Sequence, residues 1–415
     1  MDNATIKKSN IQIIKVIFSA ITGTFGSSIF SFVIGLKILK ETNSVLGFGF
    51  SQIIAPVVGI ILFPFVGGIV DKYNKKKIII LGQSVSMVAL FLYGIGIFFF
   101  EKNKLIYTYM LLVVLRICDQ FLSISFVSST INIVIEEHIQ KLNSLSQATN
   151  SFINIFSPIV ASILLTKFLL IHFVILEIVM EFITICIILF INFKFSKSKI
   201  ENKKEENVII MFKMGLKYVK SNNVVMFLVV FGMFINFIFT SIALSLPIIQ
   251  IKELKFENYL YAFTQMAVSI GLLVSAIMIS FMKEIKNPLK ISIRAVTVIG
   301  FILSIFATSL FFSFSKITFF SIIVVFSISI SFLINIINIP LQNMLITTID
   351  KNFQARVFNL INTLCGILNP LGILFFSIIL DKYKSNITLL ISSVLIMILS
   401  CILPKAFKIN EKVIK

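Results

Sequence analysis

The stretch Gly67-Gly68-Ile69-Val70-Asp71-Lys72-Tyr73-Asn74-Lys75-Lys76-Lys77 decides how the rest of the chain is read. Before it lies an apolar run over 45–70, and after it another over 78–100. Each is long enough to cross a bilayer, which takes about 20 apolar residues in a helix. A tight turn with one aspartate and four lysines between two such runs is a loop joining two membrane spans.

Working outward, the composition agrees. The chain is 58% hydrophobic and 13% charged, with 45 phenylalanines and a mean hydropathy of +1.03. A soluble domain cannot bury that much apolar surface, because burial is limited by surface-to-volume scaling, so the bilayer acts as the solvent. The chain has room for about a dozen spans. They are expected near 13–38, 45–70, 78–100, 105–134, 145–167, 170–193, 224–249, 258–282, 291–314, 317–346, 357–380 and 386–404. The first run follows Lys7 and Lys8 but is too long for a signal-peptide core, and no small-residue cleavage site precedes Lys37, so it reads as a retained helix.

The net charge of +19 raises the question of nucleic acid. Its distribution answers it: most of the 37 lysines and arginines fall in alternate loops and in the tails. That is the positive-inside bias, which predicts an even number of spans in a cell (plasma) membrane with both termini cytoplasmic. The basic loops then face anionic inner-leaflet lipid, and no basic segment is large enough to form a nucleic-acid-binding domain. Cys118, Cys186, Cys365 and Cys401 lie singly in apolar spans, and His138 and His172 have no ligand spacing. Neither a disulfide framework nor a metal or cofactor site is expected.

One long polar segment, Lys194-Phe-Ser-Lys-Ser-Lys-Ile-Glu-Asn-Lys-Lys-Glu-Glu206, divides the chain. The expected units are a six-helix bundle over 1–193, a basic cytoplasmic linker over 194–223, and a second six-helix bundle with a cytoplasmic tail over 224–415. Within the linker, Ile209, Phe212, Leu216 and Val219 share one helical face and Lys213, Lys217 and Lys220 the other. That pattern predicts an amphipathic helix lying on the inner leaflet. The halves also echo one another: Glu136–Pro158 and Asp350–Pro370 each run from an acidic start through a glutamine and asparagines to a proline. Internal repeats of this kind build many secondary transporters.

Gly67, Asp71, Lys72, Lys75 and Lys76 resemble the Gly-x-x-x-Asp-Arg/Lys-x-Gly-Arg-Arg/Lys loop that major facilitator superfamily transporters carry between helices two and three. Asn74 stands where the second glycine is usual, and asparagine also enters a left-handed turn cheaply. Gly23-Thr-Phe-Gly26-Ser27, Met214–Val219, Asn236 before Pro247, and Gln354-Ala-Arg356-Val357-Phe358 resemble the macrolide-efflux and enterobactin-exporter branch. The resemblance implies an all-α membrane protein of twelve transmembrane helices in two pseudo-symmetric bundles around a central cavity. Two readings stand for this loop: Asp71 accepts hydrogen bonds from the inner end of span eleven and locks the outward-facing state, with Lys72 and Lys75–Lys77 holding the loop at anionic lipid, or the loop is a topogenic basic turn with no gating role.

Charges within hydrocarbon are costly and so mark candidate sites. Arg116 and Asp119 in span four, and Glu177 and Glu181 in span six, lie in the middle third of their helices. Arg116, Asp119, Gln120 and Ser123 share one face, and Arg116-Ile-Cys-Asp119-Gln120 resembles the Arg-x-x-Gln-Gly pattern of drug/proton antiporters. Two readings stand for this pair: a proton switch, in which Asp119 takes up a proton when Arg116 is drawn away, or a static ion pair. Glu177 and Glu181, one turn apart, repel unless a proton or cation intervenes. They either assist proton or substrate entry or form a structural, snorkelling pair on what the resemblance makes a peripheral helix.

The C-terminal half offers amides in place of mid-span charges: Asn236, Asn335, Asn338, Asn362 and Asn369. With phenylalanines around them, these amides, together with Gln120 as a further cavity candidate, suit a large apolar or amphipathic substrate, or else serve as interhelical glue. No phosphate-binding Gly-rich loop or nucleophile elbow is present, so an enzyme is not expected. The reading is a monomeric secondary transporter that exports lipophilic or amphipathic compounds of macrolide or multidrug type, coupled to protons. The alternative is an exporter or flippase of a native metabolite such as a siderophore, lipid or peptide. An uptake carrier for a small polar solute fits less well with eight tyrosines and no tryptophan, and a non-transporting scaffold would need a signalling module.

Overall fold

The computed structural model describes residues 3–42, 44–99, 104–195, 216–282, 287–348, 360–361, 363–407 and 409. Among the described residues, twelve helices are long and apolar enough to cross a membrane. They are α1 (Asn3–Thr42), α2 (Val45–Lys72), α3 (Lys75–Phe99), α4 (Lys104–Ile133), α5 (Glu136–Leu165), α6 (Leu170–Leu189), α7 (Asn223–Ile248), α8 (Asn258–Phe281), α9 (Pro288–Ser309), α10 (Lys316–Thr348), α11 (Asn369–Lys382, the main part of a span over Thr363–Lys382) and α12 (Ser385–Ala406). Helices are the required form because hydrocarbon offers no partner for an open backbone group.

Local chemistry sets the ends. Asn222 accepts from the Val224 and Val225 N–H groups and opens α7, while prolines open α9 and α11. Inside α7, Pro247 removes a backbone donor, and the helix widens into a π turn over Ile249–Glu253 that ends near Lys255, whose φ is +50°. Several buried hydroxyls are satisfied within their own helices, as where Ser331 donates to Ser327 O at 2.7 Å. The connection between α2 and α3 is Tyr73 and Asn74. Asn74 does not take the left-handed backbone expected of it. It sits before α3 and its Oδ1 accepts from Lys76 N at 3.0 Å and Lys77 N at 3.4 Å, so its use is as an N-cap.

The chain forms two compact units, one of Met1–Ile38 with Val57–Glu206 and one of Leu39–Pro56 with Asn207–Lys415. In the first, α3 packs on α4 and α6; in the second, α9 packs likewise on α10 and α12. The same pairing thus occurs in both units. Small residues permit it: a Cβ on Gly82 would stand 3.2 Å from Leu122, and one on Gly300 2.6 Å from Met397. In the second unit, helical Leu216 and Val219 pack into the core, with Val219 1% exposed. At Val219 the apolar side of the expected amphipathic helix is therefore covered by protein and not by a leaflet; Ile209, Phe212 and Lys213 lie outside the described residues.

Candidate functional site

Helix α4 has two faces. Cys118, Leu122, Ser125 and Ser129 are buried, while Arg116, Asp119, Gln120 and Ser123 lie on the accessible side. Arg116 Nη1 donates to Asp119 Oδ2 at 3.2 Å, and the two side chains are 39% and 47% exposed. The pair forms as the i, i+3 spacing predicts, but it is not sealed inside protein.

Helix α6 gives the opposite result. Glu177 and Glu181 are 2% and 5% exposed, so they point into the first unit and do not snorkel toward its periphery. Oε2 of each is buried without a hydrogen-bond partner among the described residues, as is Oε1 of Gln83 on α3. Around them lies a polar seam contributed by α1, α3 and α6. Ser27 stands beside Glu177, Thr22 and Thr184 are hydrogen-bonded at 2.7 Å, and Asp119 lies within electrostatic range of Glu181. Gly26 makes the approach of α1 possible, since a Cβ there would meet Glu177 Oε2 at 2.5 Å and Met180 Cβ at 2.9 Å. Among the described residues no cation is paired to Glu177 or Glu181, so each is a buried acid whose neighbours are uncharged polar groups and other carboxylates.

The α2–α3 turn behaves less uniformly than its charge suggests. A Cβ on Gly67 would meet nothing within 4 Å, so no steric demand for glycine arises there. Lys72 lies over the Tyr73 ring at 5.8 Å, and Lys75 is partly accessible. Lys76 is committed elsewhere: its Nζ donates to Leu189 O at 2.7 Å and Ile191 O at 3.0 Å, and Lys15 Nζ donates to Phe190 O at 2.9 Å. Two ammonium groups thus close the carbonyl end of α6. The Asp71 side chain lies outside the described residues.

The amides divide. Asn335 Nδ2 donates across to Leu272 O at 2.7 Å, joining α10 to α8, and Asn236 Nδ2 donates within its own helix to Gly232 O at 2.9 Å. Asn338 is exposed, the Asn369 Oδ1 is buried without a partner among the described residues, and Asn362 lies outside them. The residue that sequence reasoning missed is Asp381, at the end of α11. In the second unit its carboxylate accepts from Val45 N at 2.9 Å, Leu46 N at 3.4 Å and Ser44 Oγ at 3.5 Å, capping α2. A signal was present, since Asp381-Lys382-Tyr383 repeats Asp71-Lys72-Tyr73 letter for letter. No group of three or more His, Cys, Asp and Glu fit to hold a metal ion occurs among the described residues.

A family model described as the Major Facilitator Superfamily matches residues 16–373. Among curated protein sequences none matches the chain. Solved structures share the fold. The crystal structure of the nucleoside transporter NupG aligns with a TM-score of 0.71 at 12% identity, covering 96% of this chain and 98% of that one. That of a D-xylose-proton symporter aligns with a TM-score of 0.71 at 10% identity, over 95% and 97%. A bacterial homologue of the iron transporter ferroportin, in an inward-facing state, aligns with a TM-score of 0.65 at 13% identity, over 94% and 98%.

Proposed function

The chain belongs to the Major Facilitator Superfamily, and on that premise we propose that it is a proton-coupled exporter of lipophilic or amphipathic compounds, of macrolide or multidrug type. It is a multi-pass membrane transporter of small molecules. Its place is the cell membrane, with both termini cytoplasmic.

The observation that carries the reading is the accessible Arg116–Asp119 ion pair in the middle of a span whose remaining mid-helix residues are uncharged. A pair walled in by apolar side chains is a packing device, whereas an accessible one can exchange protons with water. Asp119 is the proton carrier and Arg116 its switch: with the arginine beside it the carboxylate stays ionised, and once left alone it takes a proton. Glu181, and to a lesser degree Glu177, assists proton or substrate entry from the outer side. The second unit contributes exposed Asn338 among apolar side chains, which suits cargo held by few hydrogen bonds. The relatives named above are described as carrying nucleosides, xylose and iron, so the fold is compatible with several cargoes and proton coupling is among its uses.

The test is flux in liposomes with an imposed pH gradient and a panel of macrolides, lipophilic cations, a siderophore, a peptide and neutral sugars. Uphill movement of lipophilic compounds, collapsing when the gradient is discharged, is expected. Movement indifferent to the gradient would remove proton coupling, and movement of sugars alone would remove the cargo class.

A further inference from the structure

We propose that a pocket where α3 and α6 meet the water boundary binds the phosphate of an anionic phospholipid headgroup. The proposal is independent of what the protein exports.

The pocket has a volume of about 590 Å³. Tyr73 and Asn74 of the α2–α3 turn, Lys75 and Lys76 of the first turn of α3, and Asn192 and Lys194 beyond α6 line it. Three consecutive lysines open α3, at the positive end of its dipole, where carboxylates normally stabilise a helix and lysines do not. Asn74 satisfies the backbone N–H groups of Lys76 and Lys77 but contributes no negative charge. Lys76 is neutralised in part by the carbonyl end of α6. The ammonium groups of Lys75 and Lys194 have no hydrogen bond or ion pair among the described residues, and no carboxylate is among the described residues that line the pocket. The lining is therefore rich in donors and in positive charge, and lacks an anion.

A phosphate matches that lining. Its oxygens accept from two ammonium groups at once, as charge-assisted bonds. They also accept from the amide nitrogen of Asn192, whose Oδ1 is already taken by Lys194 N at 2.9 Å. The rim identifies the source of the phosphate. Tyr73, Leu189 and Phe190 stand 58%, 55% and 73% exposed around the opening, and both helices end their apolar runs there. A headgroup in the pocket would leave its acyl chains along this apolar rim, as in the basic pockets between spans that hold anionic lipid. A soluble phosphate would gain nothing from it.

The experiment uses the full-length protein in detergent. It is titrated with short-chain phosphatidylglycerol, with phosphatidylcholine of the same chain length, and with inorganic phosphate. Thermal unfolding gives apparent affinity and native mass spectrometry counts bound lipid. Phosphatidylglycerol should raise Tm saturably. The double variant Lys75→Gln/Lys194→Gln should weaken its binding by at least about tenfold, Lys75→Arg/Lys194→Arg should keep it, and Lys167→Gln at the opposite end of α6 should not change it. Equal affinity in the double glutamine variant, or an equal response to phosphatidylcholine, overturns the proposal. If inorganic phosphate gives the lysine-dependent shift and phosphatidylglycerol does not, the pocket takes a soluble phosphate and the lipid assignment falls.

Discussion

Asp119 and Glu181 lie within reach of one another's charge yet face different surroundings: one is half exposed beside an arginine, the other sealed in a seam of uncharged polar groups. Their amide variants should therefore differ. Asp119→Asn is near-isosteric, so it should fold and bind cargo as before while gradient-driven uphill export is lost. Glu181→Gln replaces a buried acid with another hydrogen-bonding group and should leave export reduced but present. Flux and cargo binding measured on both variants decide it, and the reverse pattern would move the carrier to α6. The Arg116–Asp119 geometry was legible in the sequence because two opposite charges three residues apart on a helix can hardly avoid meeting. The orientation of Glu177 and Glu181 was not. Span six is apolar on every side, so its pattern does not say which face is covered, and the deciding contact is the absence of a side chain at Gly26 on a distant helix.

At the scale of elements, helix termini are fastened by charges supplied from far along the chain. The carboxylate of Asp381 caps α2 from 336 residues away, and the ammonium groups of Lys15 and Lys76 close α6. A cap of this kind contributes about 1 kcal/mol, and somewhat more when the acceptor is charged and set against the helix dipole. Asp381→Ala should therefore destabilise the protein by about 1–2 kcal/mol, and Asp381→Asn, which keeps one acceptor oxygen, by less. Thermal unfolding in detergent measures both, and an unchanged Tm for the alanine variant would mean that water replaces the cap at no cost. Apolar run length was enough to place all twelve spans. Caps escape such a reading because the loop between α1 and α2 carries no capping carboxylate of its own, and the partner is set by tertiary packing. Lys76 shows the same limit: its charge reads as a loop facing lipid, but its ammonium reaches the end of α6.

For the whole molecule, the arrangement of charge along the chain determines how twelve helices are threaded through the bilayer. In the sequence, the connections after even-numbered spans and the tails hold most of the 37 lysines and arginines, among them Lys75–Lys77, Lys194, Lys217, Lys220 and Lys405. Lysine and arginine excess holds loops on the cytoplasmic side, and twelve spans return the chain to the side from which it started. A reporter active only outside the cell, fused after Phe312 in the α9–α10 connection, should therefore be active, and the same reporter fused after Lys415 should be silent. The outcome reaches beyond topology. In this orientation the α2–α3 turn and the lysine-lined pocket beside it open to the leaflet that is rich in anionic lipid, and the inward proton flow that the proposed export would use runs down the electrochemical gradient. A silent reporter at Phe312 with an active one at Lys415 would place the pocket against the outer leaflet, deprive it of its anion, and turn the proposed exporter into an uptake carrier.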